Sequence, residues 1–151
     1  MKILLAAVGA RRGRSKSDAT DRLLDDYIER AGRYLACSSR VFESEGALLD
    51  WLDHNPGRVP AYAVLLDSRG QQYSSEEFAE RLGNLRDAGV QQLVLAIGPA
   101  DGWSAAARGR ANLVFSLGRV TLPHQLARVV LAEQVYRALT ILAGHPYHCG
   151  H

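Results

Sequence analysis

The chain has 151 residues, of which 47% are hydrophobic and 23% are charged, and its formal net charge is +2. These values are typical of a globular protein that is large enough to bury a core, and they argue against a disordered chain. No apolar run approaches the roughly 20 residues that span a bilayer, so no membrane partner is expected. The two cysteines are too few for a disulfide framework, and this predicts a reducing, cytoplasmic location.

The first half of the chain alternates predicted strands and helices. Residues 2–8 are an apolar run that predicts a buried strand rather than a signal peptide, because Arg11 and Arg12 follow where cleavage would need small residues. A basic loop is predicted over 9–16. The spacing of apolar residues then predicts a helix over 18–34, a strand over 38–42 and a short helix over 46–52. Turn-forming residues predict a turn at 55–57.

The second half continues the alternation. The predicted order is a strand over 61–66, a helix from Ser74 to 87, a strand over 92–97, a short helix over 104–110, a strand over 112–115 and a helix over 124–142. Strands 61–66 and 92–97 lack the alternation of a half-exposed strand. The pattern therefore predicts one α/β domain over 1–151, with a mainly parallel sheet flanked by helices. Ligands bind such sheets beyond the carboxyl ends of their strands, here near Leu66, near Gly98 and over 115–122.

Familiar nucleotide and hydrolase signatures are absent from the sequence. There is no phosphate-binding G-x-x-x-x-G-K-[ST] motif, no G-x-G-x-x-G after the first strand and no G-x-S-x-G elbow. Gly98 and Gly102 bracket a loop at a strand end, where glycine lets the backbone approach a ligand or simply make a turn. Any reaction must use another kind of site.

The final predicted helix, 124–142, is apolar in nearly every direction, which predicts burial on all sides and a second subunit over one of them. Glu133 and Arg137 stand four residues apart on one face, and His124 and Arg128 stand four apart on roughly the opposite face. The Glu133–Arg137 pair either does no more than stabilise the helix, or it fixes Arg137 so that the guanidinium presents its donors to a substrate.

The segment after this helix, which we call the tail (143–151), is rich in titratable and aromatic groups. Proline and glycine within it predict an extended arm that is free to reach another surface. Its histidines and Cys149 could in principle bind zinc, but their spacing matches no structural zinc pattern, so no metal is predicted. Tyr147 as a stacking group and His148 as a proton-handling group for a nucleobase suit the tail better.

The charge is distributed unevenly along the chain. Residues 1–16 hold five basic side chains and no acid, residues 17–103 hold eight arginines and fifteen acids, and residues 104–151 hold five arginines and one acid. Two basic ends around an acidic middle are typical of a localised footprint for a polyanion such as RNA.

Taken together, these residues resemble the SPOUT-class ribosomal RNA large-subunit methyltransferase H family, which methylates N3 of a pseudouridine in 23S rRNA. The resemblance spans the chain. It is strongest in Thr-Leu-Pro-His at 121–124, in Glu-x-x-Tyr-Arg-Ala at 133–138 and in the Tyr-His pair at 147–148.

The resemblance implies a C-terminal trefoil knot and S-adenosylmethionine as cofactor. It also implies a homodimer in which the partner's tail completes the active site. The substrate would be 23S rRNA, either free or within the large subunit or the whole ribosome. By match, the cofactor would contact Leu66, Gly98, Leu117, Gly118, Arg119, Val120, Thr121 and Leu122. The catalytic and RNA-facing set would be His124, Glu133, Arg137, Tyr147 and His148.

Two residues depart from the family pattern. Pro99 follows Gly98 where the family usually has a second glycine, and proline removes a backbone N–H. Cys149 stands where a basic residue usually follows the Tyr-His pair. These departures keep a second hypothesis open, namely a dimeric knotted RNA- or ribosome-binding protein with weak or no methyltransferase activity.

Overall fold

A computed structural model describes residues 1–9, 19–54 and 59–149. Strands and helices alternate along the chain as the sequence predicts. In chain order they are β1 (Lys2–Val8), α1 (Ala19–Ala31), β2 (Cys37–Phe42), α2 (Glu45–His54), β3 (Tyr62–Gln72), α3 (Ser75–Asp87), β4 (Gln92–Ile97), α4 (Ala105–Arg110), β5 (Leu113–Ser116) and α5 (His124–Leu142).

The five strands form one sheet in the order β2-β1-β4-β3-β5, and each neighbouring pair is parallel. Helices α1, α3 and α5 pack on one face, around a core that includes Leu24, Phe78 and Val135. Helices α2 and α4 cover the other face through residues such as Leu48 and Ala107. The predicted α/β class, a parallel sheet flanked by helices, is confirmed. The trefoil knot stays a prediction.

Strand β3 is longer than its apolar run predicts, because it continues through polar residues to Gln72. After Leu66 the pairing with β5 shifts register and resumes at Gln71. Gly70 lies in the shifted segment, and a Cβ atom there would stand 2.7 Å from the backbone carbon and oxygen of Val114. A glycine therefore lets the backbones of β3 and β5 approach closely after Leu66.

Helix α5 is buried mainly by its own chain. It packs along α1 and α3, and seven of its residues are buried there: Val129, Leu131, Ala132, Val135, Ala138, Leu139 and Thr140. The sequence predicts burial of this helix on all sides, with a second subunit over one of them. Its own chain buries these seven residues, while Leu126 remains 46% exposed. A second subunit over the remaining side, and the homodimer with it, stays a prediction.

Two further sequence predictions can be placed against the structure. The turn at 55–57 and most of the basic loop lie outside the described residues. Across the described ranges, no helix combines the length and apolar character that a membrane crossing needs.

Candidate active site

A cavity of about 540 Å³ opens at the carboxyl ends of β4 and β5, beside residues 66–69 of β3. These β3 residues, the loops that follow β4 and β5, and the start of α5 form its wall, at the edge where a parallel sheet binds ligands. The volume lies in the range of small-molecule sites, roughly 300–1,000 Å³. The cavity therefore stands where the strand ends predict a ligand.

Seven of the eight predicted cofactor residues line this cavity: Leu66, Gly98, Leu117, Gly118, Val120, Thr121 and Leu122. The eighth, Arg119, is exposed and is not among the lining residues. Gly118 has φ +131, and a Cβ there would meet nothing within 4 Å, so its conformation rather than crowding favours glycine. The structure thus brings together residues from three separate segments of the chain.

His124, the first residue of α5, also lines the cavity. Its ring nitrogen Nε2 is buried and has no hydrogen-bond partner among the described residues. Burial, and then the nearby charge of Arg128, lower the pKa of His124, and the backbone groups of Val8 and Gly98 partly oppose this shift. A neutral imidazole with an unpartnered nitrogen is therefore available to a bound ligand.

Trp103 is a cavity residue that the sequence does not single out. It is buried, and its indole N–H donates to the carbonyl oxygen of Leu66 over 3.0 Å. A Cβ on Gly98 would stand 2.6 Å from the Trp103 ring. Glycine is thus required at position 98 because the indole packs against it. The sequence alone explains this glycine by a turn or by the approach of the backbone to a ligand.

Asp67 is one of the polar residues of the cavity wall. Its carboxylate accepts Arg108 NH2 at 2.9 Å and the backbone N–H of Arg69 at 2.9 Å. The side chain is only 10% exposed. Its place at the end of an apolar run was a visible signal in the sequence, but only the fold shows that an arginine from α4 fixes it.

The other predicted catalytic residues form a separate cluster along the second half of α5 and the tail. Oε1 of Glu133 accepts Arg137 Nε at 3.0 Å and Arg137 NH2 at 2.6 Å. Arg137 NH1 lies 3.0 Å from His148 Nδ1, and the Tyr147 hydroxyl donates to the same Glu133 oxygen over 3.0 Å. We call Glu133, Arg137, Tyr147 and His148 the tail cluster.

The ring of Tyr147 is held by its neighbours as well as by its hydroxyl. It packs edge-on against Tyr136, with ring centres 4.6 Å apart, and the Arg137 guanidinium carbon lies 4.9 Å from its centre. Burial, followed by the hydrogen bond to Glu133, raises the pKa of Tyr147. The phenol therefore stays protonated and acts as a donor.

The described part of the tail is not the free arm that the sequence predicts. It turns back so that Tyr147 and His148 contact α5 of the same chain. The reason is that the Tyr147 hydroxyl and the His148 ring form hydrogen bonds with Glu133 and Arg137, whereas in an extended arm these groups would be hydrogen-bonded to water. Across residues 1–9, 19–54 and 59–149, no three His, Cys, Asp or Glu side chains are placed to hold a metal ion.

His124 and the tail cluster stand apart within one chain. Glu133 and Arg137 follow His124 by nine and thirteen residues on one continuous helix, and a rise of 1.5 Å per residue puts them roughly 14 and 20 Å along it. A single small substrate group cannot touch both places. One chain therefore presents a cofactor-sized cavity at the start of α5 and, in the second half of this helix, a cationic and aromatic cluster.

Comparison with known proteins identifies the family to which this geometry belongs. A family model described as a predicted SPOUT methyltransferase matches residues 1–148. The chain belongs to the SPOUT methyltransferase family. The cavity at the strand ends and the tail cluster are therefore features of a SPOUT protein.

Relatives of this SPOUT protein match it along nearly their whole length. A ribosomal RNA large subunit methyltransferase H from Koribacter versatilis is 51% identical over 139 residues, which cover 92% of this chain and 94% of the relative. Another from Brucella anthropi is 40% identical over 158 residues, covering 98% and 99%. The structure of a probable methylase family protein from Haemophilus influenzae has a TM-score of 0.54 at 9% identity, covering 97% of this chain and 70% of that one, and so shares the fold.

Proposed function

We propose that this protein transfers a methyl group from S-adenosylmethionine to N3 of a pseudouridine in 23S rRNA of the large ribosomal subunit. The observation that carries the proposal is the cavity of about 540 Å³, because seven of the eight residues matched to cofactor binding line it. The names of the relatives support large-subunit rRNA as the substrate class. The two basic ends of the sequence suit that polyanion, and an rRNA substrate agrees with a cytoplasmic location.

The residues of the cavity fit S-adenosylmethionine. Leu66, Leu117 and Leu122 offer an apolar wall to the adenine, while the carboxylate of Asp67 and the unpartnered Nε2 of His124 offer polar contacts. Pro99 lines the same wall without a backbone N–H to donate. Bound there, the cofactor supplies an electrophilic methyl group.

The tail cluster offers the nucleobase a cation and an aromatic ring. An imide N3–H must lose its proton before or during attack, and the cation of Arg137 stabilises the negative charge that develops on the base. Tyr147 presents an aromatic ring on which a splayed base can stack. Holding nitrogen and methyl carbon in line supplies much of the remaining rate enhancement.

These two parts meet across a homodimer in our proposal. Because His124 begins α5 and Arg137 lies thirteen residues further along it, a partner whose α5 runs alongside in the opposite direction would bring its tail cluster to this chain's cavity. Leu126, exposed on α5 near the cavity, and Leu23, exposed on α1, would lie on the contact face. Each site would then use the cavity of one single-domain chain and the tail cluster of the other.

A second function rests on specific residues. Pro99 in the cavity wall and the exposed Cys149 beside the tail cluster replace a possible backbone donor and a basic residue. They favour an RNA-binding dimer with weak or no turnover. This alternative predicts ribosome binding without methyl transfer.

Two measurements on the full chain test the proposal. Titration calorimetry with S-adenosylmethionine should give one site per chain, and an Asp67→Asn variant should bind more weakly than wild type. Radiolabelled methyl transfer to undermethylated ribosomes, followed by nucleoside mapping, should place the label at N3 of a pseudouridine. Binding without transfer would favour the alternative function, and no cofactor binding would overturn the cavity assignment.

A further inference from the structure

Glu76, in the first turn of α3, contacts the tail cluster from a different element of the fold. Its Oε1 lies 2.8 Å from Nε2 of His148. Glu76 is 55% exposed, whereas the His148 side chain is only 14% exposed between α3 and α5. The residue is outside the set matched to the family's catalytic residues, so its contact with the imidazole is a separate observation.

The two neighbours of His148 determine where its proton lies. Arg137 NH1 stands 3.0 Å from Nδ1, and a guanidinium has only donors to offer. Nδ1 must therefore accept, which places its lone pair on the Arg137 side. Nε2 then carries the hydrogen of the neutral ring and donates it to the carboxylate of Glu76. The His148 bond is also the first cause of a lowered pKa of Glu76, which keeps that carboxylate ionised as an acceptor.

We propose that Glu76 is a positioning residue for methyl transfer, which holds His148 in the Nε2–H tautomer and points its Nδ1 lone pair toward the substrate side of Arg137. The inference rests on the proposed function. When the base binds, the Arg137 N–H turns to an imide oxygen and frees Nδ1. The proton would then pass from N3 to Nδ1, and the electron pair of the broken N–H bond would stay on N3 and form the bond to the methyl carbon. The methyl–sulfur bond would break at the same time, with its electron pair left on sulfur as a neutral thioether.

The carboxylate acts at the moment when His148 gains this proton. An imidazolium then stands between Glu76 and Arg137, and the negative charge of Glu76 offsets the repulsion from the guanidinium. Nearby polar groups include Glu133, which Arg137 and Gln134 already engage, the protonated Tyr147 and the exposed Cys149. Glu76 is therefore the carboxylate that contacts the imidazole directly, as in other carboxylate–histidine pairs that orient a base.

The test uses Glu76→Ala in the full-length protein, with Glu76→Gln as the conservative variant that can still accept a hydrogen bond. Glu80→Ala is the matched control, because it removes the same charge one turn further along α3. Nitrogen NMR of ring-labelled histidine reads the tautomer of His148 without any substrate. Wild type and Glu80→Ala should show Nε2–H, Glu76→Ala should show mixed tautomers, and Glu76→Gln should recover much of the wild-type signal.

Methyl transfer to ribosomes is then measured on the same variants. Glu76→Ala should lower kcat about tenfold with little change in KM, which is a fraction of the 10²–10⁴ that an acid–base group contributes. A His148 tautomer unchanged by Glu76→Ala, or a kcat equal to that of Glu80→Ala, would overturn the inference. Wild-type protein that binds cofactor but does not methylate ribosomes would instead overturn the proposed function, and the reaction step with it.

Discussion

The hydroxyl of Tyr147 donates to Oε1 of Glu133, the same oxygen that accepts two nitrogens of Arg137. One carboxylate oxygen thus joins the tail to the helix, while the second accepts the side-chain amide of Gln134 over 2.8 Å. Glu133 is fully engaged within its own chain. It holds Arg137 in place and ties the Tyr147 hydroxyl to α5.

Two substitutions separate the ring of Tyr147 from its hydroxyl. Tyr147→Phe keeps the packing on Tyr136, so methyl transfer should stay within about threefold of wild type if stacking is its main role. Tyr147→Ala should lose roughly 10- to 100-fold, because stacking of a base on an aromatic ring contributes ~1–3 kcal/mol. The measurement is initial rate on ribosomes. Equal losses in both variants would assign the role to the hydroxyl instead.

Mixed dimers test whether a site is shared between chains. His124→Ala damages the cavity side, and deletion of 147–151 damages the tail cluster. If the site is shared, co-expression of the two inactive chains should restore about half of the wild-type activity per heterodimer, because one of its two sites is whole. Active sites contained within single chains would give no rescue.

The choice of the two defects in this experiment follows from the structure. Arg137 and the tail belong to one cluster of one chain. Combining an Arg137→Ala chain with a tail-deleted chain would therefore leave a defect in both sites of a heterodimer, and it serves as a negative control that should show no rescue. Differently tagged chains, purified in tandem, show that heterodimers have formed.

Gly98 and Gly109 make a matched pair for the role of Trp103. A Cβ at Gly98 would stand 2.6 Å from the indole, whereas one at Gly109 in α4 would meet nothing within 4 Å. Gly98→Ala should destabilise the fold by ~1–3 kcal/mol by overpacking and weaken cofactor binding through the displaced Trp103. Gly109→Ala should be neutral or stabilise by ~0.5–1 kcal/mol. Urea unfolding and calorimetry check both, and equal effects would contradict the packing role.

Much of the fold follows from local patterns in the sequence. β4 and α5 have the predicted bounds, since an apolar run and a helical repeat are each ended by residues with strong preferences. The start of α3 near the predicted Ser74 has the same kind of local origin, because Ser74 and Glu77 form a capping box there. The extension of β3 could not be predicted, because it depends on pairing with β5 far along the chain.

The candidate site was only partly accessible to the same reasoning. Residues at strand ends are predictable, because parallel strands share one carboxyl edge. The packing of Trp103 on Gly98 and the contact of Glu76 with His148 depend on tertiary neighbours that no spacing encodes. The tail's return to α5 has the same origin, since it depends on hydrogen bonds between segments rather than on the flexibility of Gly144 and Pro146.

His124 should make stability depend on pH. Its pKa is lowered below 6.5 in the folded chain, so the unfolded chain binds a proton that the folded chain resists. The contribution of the neutral His124 ring to the free energy of unfolding is therefore fully present above pH 6.5, and it declines as the pH falls below this value. Urea midpoints at pH 7.5 and 5.5 should differ more for wild type than for His124→Asn. Glu76 titrates below its ordinary 4.5 and does not enter this window.

The tail's attachment to its own helix has a consequence for when the protein can act. Each newly made chain can form its cavity and its tail cluster before it meets a partner, so residues 143–149 of the tail need not refold during assembly. Under the shared arrangement proposed above, the pairing of chains is then the switch that turns on catalysis. Activity should fall more steeply than enzyme concentration on dilution, and a lone chain leaving the ribosome that made it would be unable to modify that ribosome's RNA.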